Sequence, residues 1–303
     1  MSGVPELDRV YAAFEQTARL VGAPYSRETV LPVLTAFGDA LADAGIVFAV
    51  LSGEDNAGEL DYTVTVPPGI DDPYAVARAA GLVAATDHPV GTLLCDLRER
   101  LSVSEFLVDA GVAGGFKKIY AHFPRALQPV AKLADIPAMP PAVAGNTDFF
   151  ARHGLDDVAM VAIDYGRRTT NLYFHRPPEP LDRQTVRSMT RECGLAAPSE
   201  PALAFAERAF RVNVTLGWDA PQPVRIALAR FPGRTLDPAV LCDPVEPRFA
   251  RFLRHTPHTY AGGLINLLGL KWTPAGEVVE FASYYQLSPM QRAMWKATHA
   301  EEV

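Results

Sequence analysis

The stretch GGFKKIYAHF, residues 114–123, sets two lysines inside what reads as a β-strand. Successive strand side chains face opposite sides, so Lys118, Tyr120 and His122 share one face while Ile119, Ala121 and Phe123 share the other. Lys117 then points away from Lys118. The same alternation, applied to the other β-rich runs, collects further polar residues on the equivalent face: Asp61, Arg167, Thr169, Asn171, Tyr173, Arg211, Asn213, Arg225, Glu280, Tyr284 and Gln286. Lysine and arginine are seldom buried without a counter-charge, so several of them facing one enclosed space call for an anion that the two acids, Asp61 and Glu280, cannot wholly supply. A diphosphate has the required charge and size. Asp61 could hold Mg²⁺, a hard cation that takes few carboxylates and completes its shell with water and substrate phosphate oxygens. The tyrosines supply walls whose π faces can stabilise a carbocation as they stabilise other cations. Taken one at a time, each of these residues reads as part of a solvated strand face; their joint occurrence points to chemistry.

Such residues need elements to position them. Apolar periodicity predicts helices over 6–21, 27–44, 73–84, 91–100, 141–152, 182–193, 199–207, 246–255 and 289–300. Between them, period-two runs come in twos: IVFAVLS with ELDYTVTV, SEFLVDA with FKKIYAHF, VAMVAIDY with TTNLYFH, AFRVNVTL with VRIALARF, and LINLLGLKW with EVVEFASYYQ. Short links rich in Gly, Asn, Asp or Pro inside each pair favour antiparallel hairpins. The chain is thus predicted to repeat a helix–strand–strand–helix unit five times. With the greasy faces packed against helices, closing the ten strands removes both sheet edges and turns the polar faces into a lumen. The fold class is α+β: a ten-stranded antiparallel barrel with a solvent-filled lumen, ringed by helices and built as one domain over residues 1–303. Asp71 and Asp72 in DDPYA read as helix-capping residues, and the helix after Ser288-Pro289 starts with ordinary cap signals.

The bulk numbers restrict the partners. With 28 Lys plus Arg against 35 Asp plus Glu, the chain carries a net charge of −7, which disfavours a broad nucleic-acid or acidic-membrane surface. Cys95, Cys193 and Cys242 are scattered and odd in number, giving neither a disulfide framework nor a zinc site. The start MSGVPELDRV lacks a basic segment and an apolar run, and no stretch reaches the 18–20 or so apolar residues that a membrane helix needs. A soluble, cytoplasmic monomer is expected.

The runs ELDYTVTVP, DDPYAVARAAGL, GTLLCDL, GGFKKIYAHFP, IPAMPPAV, NTDFFARHGLDDV, DYGRRTTNLYF and SYYQLSPMQR, in this order, resemble the soluble aromatic prenyltransferases of the ABBA, or PT-barrel, family. The likeness runs nearly end to end and is greatest to the Mg²⁺-dependent, geranyl-transferring hydroxynaphthalene branch. It implies the same barrel, with a prenyl diphosphate (geranyl or dimethylallyl) and a small aromatic acceptor such as a hydroxynaphthalene, phenol or phenazine as the partners in secondary metabolism. By the resemblance, Asp61 matches the magnesium aspartate, and Lys118, Arg167, Thr169, Asn171, Asn213 and Arg225 match positions that hold the diphosphate. Tyr120, Tyr173 and Tyr284 match the aromatic residues around the prenyl chain, and Ala159, Met160, Phe210, Arg211, His122, Glu280 and Tyr284 match the surroundings of the acceptor.

Four positions depart from the family pattern. Ala159 stands where a glutamine is expected, Arg211 where a serine is, Asn213 where a tyrosine is and Glu280 where a lysine is. Two unpaired charges inside a lumen are costly, so Arg211 and Glu280 are expected either to pair with each other or to flank a charged acceptor. The implied reaction is electrophilic aromatic substitution. A hydrolase or isomerase of prenyl diphosphates, and a non-catalytic binder of a prenylated aromatic ligand, are the alternatives.

Overall fold

The period-two runs become strands because their alternation gives one face to a core and one to a lumen, as seen in the computed structural model, which describes residues 4–38, 41–53, 56, 58–177 and 179–298. The strands are β1 (Ile46–Leu51), β2 (Asp61–Thr65), β3 (Glu105–Gly111), β4 (Gly115–His122), β5 (Gln128–Pro129), β6 (Asp157–Asp164), β7 (Thr169–His175), β8 (Arg211–Gly217), β9 (Arg225–Ala229), β10 (Asn266–Thr273) and β11 (Gly276–Gln286). Their order is β4-β3-β2-β1-β11-β10-β9-β8-β7-β6, every neighbour antiparallel, and β6 pairs back onto β4. Ten strands therefore close into a barrel, while the two-residue β5 only extends β6 outside the ring. The expected barrel and its five hairpins are borne out.

The helices lie outside. They are α1 (Val4–Val21), α2 (Arg27–Ala36), α3 (Pro73–Ala79), α4 (Leu93–Arg100), α5 (Val130–Ala134), α6 (Pro141–Gly145), α7 (Thr147–Arg152), α8 (Arg183–Glu192), α9 (Glu200–Ala206), α10 (Pro247–His255) and α11 (Pro289–Thr298). In α1, Val10, Ala13, Phe14, Thr17, Ala18 and Val21 recur at helical spacing and are buried. Phe14 lies 4.8 Å from Phe48 and 4.6 Å from Tyr62, ring centre to ring centre and edge-on, which fixes the helix to the outer faces of β1 and β2. Phe48, Tyr62, Val108, Ile119, Ile163, Leu172, Val214, Ile226, Leu270 and Phe281 continue that outer face around the ring in one hydrophobic core.

Local signals act as their chemistry dictates. Asp72 accepts from the Ala75 N–H at 2.9 Å and caps α3, and its other oxygen pairs with Arg98 at 2.9 Å. Ser288 and Gln291 bond each other's backbone N–H groups at 3.2 and 2.9 Å, a capping box for α11. The helix expected over 27–44 stops at Ala36; a Cβ at Gly38 would collide with the Leu34 carbonyl oxygen, so the glycine takes the chain out of the helix. The helix expected over 141–152 divides at Asn146, whose Nδ2 donates to the Ala142 and Pro221 carbonyls at 2.7 Å each. Residues 39, 40, 299 and 300 of two predicted helices lie outside the described residues.

Three bulges break the alternation and redirect side chains. Asp109 pairs with Lys118 but Ala110 with Phe116, leaving Lys117 as the extra residue in β4. Val158 pairs with Phe174 but Met160 with Tyr173, leaving Ala159 extra in β6. Val47 pairs with Tyr284 but Ile46 with Gln286, leaving Tyr285 extra in β11. Each extra residue shifts the facing of the strand beyond it by one position.

Candidate active site

Because each hairpin joins an odd and an even position of an alternating ring, all five hairpin turns lie at the same end of the barrel. Lumen-facing residues near those turns are Asp61, Asp109, Lys117, Lys118, Asp164, Arg167, Thr215, Arg225 and Lys271. At the opposite end, where the helices join the strands, lie Met160, His122, His175, Phe210, Arg211, Phe231, Leu267, Tyr284 and α11. One cavity of about 780 Å³ spans both ends. Its charged end and its aromatic end follow from strand register alone.

The lumen holds six cations (Lys117, Lys118, Arg167, Arg211, Arg225 and Lys271) and six carboxylates (Glu59, Asp61, Glu105, Asp109, Asp164 and Glu280). The expected shortage of acids is thus overturned in number. It survives at the arginines, because the three lysines take Asp61, Asp164 and Glu280. Lys117 lies 2.5 Å from Asp61, Lys118 lies 3.9 Å from Asp164, and Lys271 lies 2.9 Å from Glu280. Among the described residues, no carboxylate lies within ion-pair distance of the three arginines.

Burial alone would lower the pKa of Lys118, but Asp109, Tyr173 and Asp164 outweigh it, so the ammonium is held. Burial pushes the Asp109 carboxyl up, with Lys118 offsetting part of the rise and Asp61 adding to it. Its Oδ2 accepts from the Tyr120 hydroxyl at 3.1 Å, while Oδ1 is buried with no protein partner. Burial would raise Glu280, yet the Lys271 ammonium more than offsets this and holds the carboxylate ionised; burial lowers Lys271. A Cβ at Gly269 would stand 3.0 Å from Glu280 Oε2, so the glycine leaves room for this pair. Burial raises both Tyr120 and Tyr284, keeping their phenols neutral. Five of the twelve buried polar atoms without a protein partner among the described residues line the cavity: Asp109 Oδ1, His122 Nδ1, Asn171 Oδ1, Arg211 Nε and Asn213 Oδ1.

The structure brings most expected residues together and corrects others. Asp61, Lys118, Tyr120, His122, Met160, Arg167, Asn171, Tyr173, Phe210, Arg211, Asn213, Arg225, Glu280 and Tyr284 line the cavity. Lys117 does so as well, against expectation, because the β4 bulge turns it inward. Gln286 is turned out: its amide donates to the Leu41, Ala42 and Ala44 carbonyls on the helix side. Ala159 is fully buried at the β6 bulge and is not part of the lining; Met160 is. Thr169 opens β7 beside Asp164 and Gly217, outside the lining, and Thr215 lines the cavity instead. The expected Arg211–Glu280 contact is not formed, since Lys271 has taken the carboxylate.

Sequence patterning misses Asp109 and Lys271, although both follow the alternation, in EFLVDA and in LLGLKW; the apolar Leu107, Leu267 and Gly269 on the same faces hide the pattern. Because Lys117 faces inward, Lys117→Ala is expected to lower catalytic efficiency by about tenfold, the worth of one charge-assisted hydrogen bond, where an outward lysine would cost nothing measurable. Steady-state kinetics of Lys117→Ala against the wild type reads this, and an unchanged kcat/KM contradicts the bulge.

A closed ten-stranded antiparallel barrel ringed by helices is the architecture of the ABBA prenyltransferases. Accordingly, the chain superposes on 6-dimethylallyl tryptophan synthase with a TM-score of 0.59 over 93% of this chain and 97% of that one, at 14% identity. The family model of aromatic prenyltransferase Orf2 matches residues 6–293, and the chain belongs to that family. It is 40% identical to the 5,10-dihydrophenazine-1-carboxylate 9-dimethylallyltransferase of Streptomyces anulatus, over 94% of this chain and 95% of the relative. It is 41% identical to the flaviolin linalyltransferase of Streptomyces virginiae, over 94% of each. The protein is therefore an aromatic prenyltransferase. No helix among the described residues is long and apolar enough to cross a membrane.

Proposed function

We propose that the lumen binds an allylic prenyl diphosphate, dimethylallyl or geranyl, with its diphosphate at the hairpin-turn end and its chain running toward the aromatic end. The single observation that carries this reading is the segregation of the cavity: ammonium and guanidinium groups of Lys118, Arg167, Arg225 and Lys271 converge at one end, Phe210, Phe231 and Tyr284 line the other, and Tyr120 and Tyr173 stand between them. Lys118, Arg225 and Arg167, with Asn171, Asn213 and Thr215, hold the diphosphate. As the C–O bond breaks, the diphosphate leaves with the electron pair and these fixed charges stabilise it. The resulting allylic cation lies against the paired rings of Tyr120 and Tyr173, whose centres are 6.0 Å apart, with the Tyr120 phenol neutral. An electron-rich aromatic ring attacks it, and the arenium intermediate loses its proton to a water or tyrosine relay. For transfer to win over hydrolysis, the bound acceptor and the walls must keep bulk water from quenching the cation. That two relatives are named for dimethylallyl and linalyl transfer supports a donor of this size range. The test is incubation with dimethylallyl or geranyl diphosphate and a panel of phenols, hydroxynaphthalenes and phenazines, read by mass: a prenylated arene is expected, and prenyl alcohol alone contradicts the reading.

Magnesium belongs to the same proposal. Asp61 and Asp109 stand on neighbouring strands at the charged end, and the unpartnered Asp109 Oδ1 is a hard oxygen donor, so the residues fit a cation that takes one or two carboxylates. No group of three or more metal-binding side chains exists among the described residues, so the shell would be completed by diphosphate oxygens and water. Bound there, Mg²⁺ would neutralise charge developing on the leaving group. Asp61, which contacts Lys117, and Asp109 on the neighbouring strand would be the residues that hold it. Asp61→Asn is expected to remove most of the stimulation by Mg²⁺ while leaving the thermal unfolding transition in place. Full activity of the wild type in excess chelator would count against the proposal.

A further inference from the structure

We infer that Arg211 is a recognition site for an anionic group, a carboxylate, on the aromatic acceptor. This rests on the reading of the cavity as a prenyl-transfer site and names the acceptor class.

Arg211 opens β8 at the aromatic end, paired with His175 on one side and Ala229 on the other. Thr215, which receives the Arg225 Nε–H at 3.1 Å, lies four residues further along the same strand. At about 3.4 Å per residue the two levels are about 14 Å apart, too far for one diphosphate to engage both. Arg167 and Arg225 stand at the donor end, so that among the described residues Arg211 is the one arginine lining the cavity at the acceptor end.

Its surroundings leave the charge uncompensated. The guanidinium lies 5.2 Å from the centre of the Tyr173 ring and 5.4 Å from that of Phe210, and Phe210 stacks on Phe231 at 4.3 Å. Its Nε is buried without a hydrogen-bond partner, and among the described residues no carboxylate comes within 4 Å of it. Glu280 contributes only at longer range and is already bonded to Lys271 at 2.9 Å. Glu105, the lining acid at this end, lies 3.6 Å from His122. A guanidinium placed among aromatic rings, with no carboxylate on its fork, matches a planar aromatic acid: the ring can stack against Phe210 or Tyr173 while the carboxylate takes two N–H bonds. A neutral acceptor would leave those donors unpaired.

Equilibrium binding of two isosteric probes, 6-hydroxy-2-naphthoate and 6-hydroxy-2-naphthamide, tests this by fluorescence titration without requiring turnover. For the wild type, the carboxylate should bind about tenfold or more tightly than the amide, as expected for a charge-assisted bidentate contact. In Arg211→Gln the carboxylate-to-amide ratio should fall to near unity, and Arg211→Lys should keep part of the preference. Absence of a preference in the wild type, or an undiminished preference in Arg211→Gln, overturns the inference. So does loss of geranyl diphosphate affinity in Arg211→Gln with the probe ratio unchanged, which would assign the arginine to the donor. If neither donor supports prenylation of any acceptor while the probe ratio behaves as expected, the transfer reading fails and the anion site stands. Circular dichroism of both variants separates loss of recognition from loss of fold.

Discussion

Replacement of Lys118 by methionine is expected to lower kcat/KM for prenyl transfer by about a thousandfold, comparable to removal of one preorganised charge donor from an anionic transition state. The side chain leaves β4 directly into the charged end of the lumen, where Asp109 lies opposite in register and Asp164 is 3.9 Å away. These two carboxylates hold the ammonium above its ordinary pKa despite burial, so it is fully charged when the diphosphate leaves. The Asp164 contact is loose: 3.9 Å is a separation at which a phosphate oxygen can displace the carboxylate. Because the interaction strengthens as charge moves onto the leaving group, the loss should fall mainly on kcat. Lys118→Arg should recover part of the activity. A loss below about tenfold in Lys118→Met would mean that the ammonium does not face the leaving group.

The largest structural effect is expected outside the lumen. Phe14→Ala should destabilise the protein by about 3–5 kcal/mol, the usual range for truncating a fully buried phenylalanine. Phe14 is fully buried and bridges α1 to Phe48 on β1 and Tyr62 on β2. Asp61 is the next residue to Tyr62 and faces the other way, so the packing that fixes the strand's outer face also fixes the carboxylate's direction. Urea unfolding of the variant reads the effect, and a loss below about 1 kcal/mol would show that α1 adds little to the barrel.

Those two residues show why much of the molecule is legible in its sequence. Hairpins follow from pairs of alternating runs with turn residues between them, and the barrel follows because each run has one greasy and one polar face. Asp61, Tyr120, Asn171, Tyr173, Arg211, Asn213 and Tyr284 all fall on the lumen as period two requires. The illegible part comes from bulges. Lys117 and Gln286 are misplaced by simple alternation because one inserted residue inverts the facing beyond it, and a bulge is decided by the partner strand, not by the local sequence. Ala159, assigned to the acceptor by the resemblance, is itself the extra residue of the β6 bulge. The Lys271–Glu280 pair escapes for a related reason. Which cation meets which acid depends on strand register across the β10–β11 hairpin, where Gly269 opens the space. Arg211, a single-residue departure from the family pattern, falls on the lumen at the aromatic end, but its contacts are not legible in the sequence.

If the lumen ionises a prenyl diphosphate in order to alkylate an aromatic ring, the two events must be coupled. The most direct test is to measure diphosphate release from geranyl diphosphate with Mg²⁺ present, with and without a hydroxynaphthalene acceptor, alongside the mass of the organic product. Release is expected to depend on the acceptor and to equal, mole for mole, the geranylated arene formed. Release at the same rate without acceptor, yielding geraniol, or tight binding of both ligands with no release at all, would contradict that coupling.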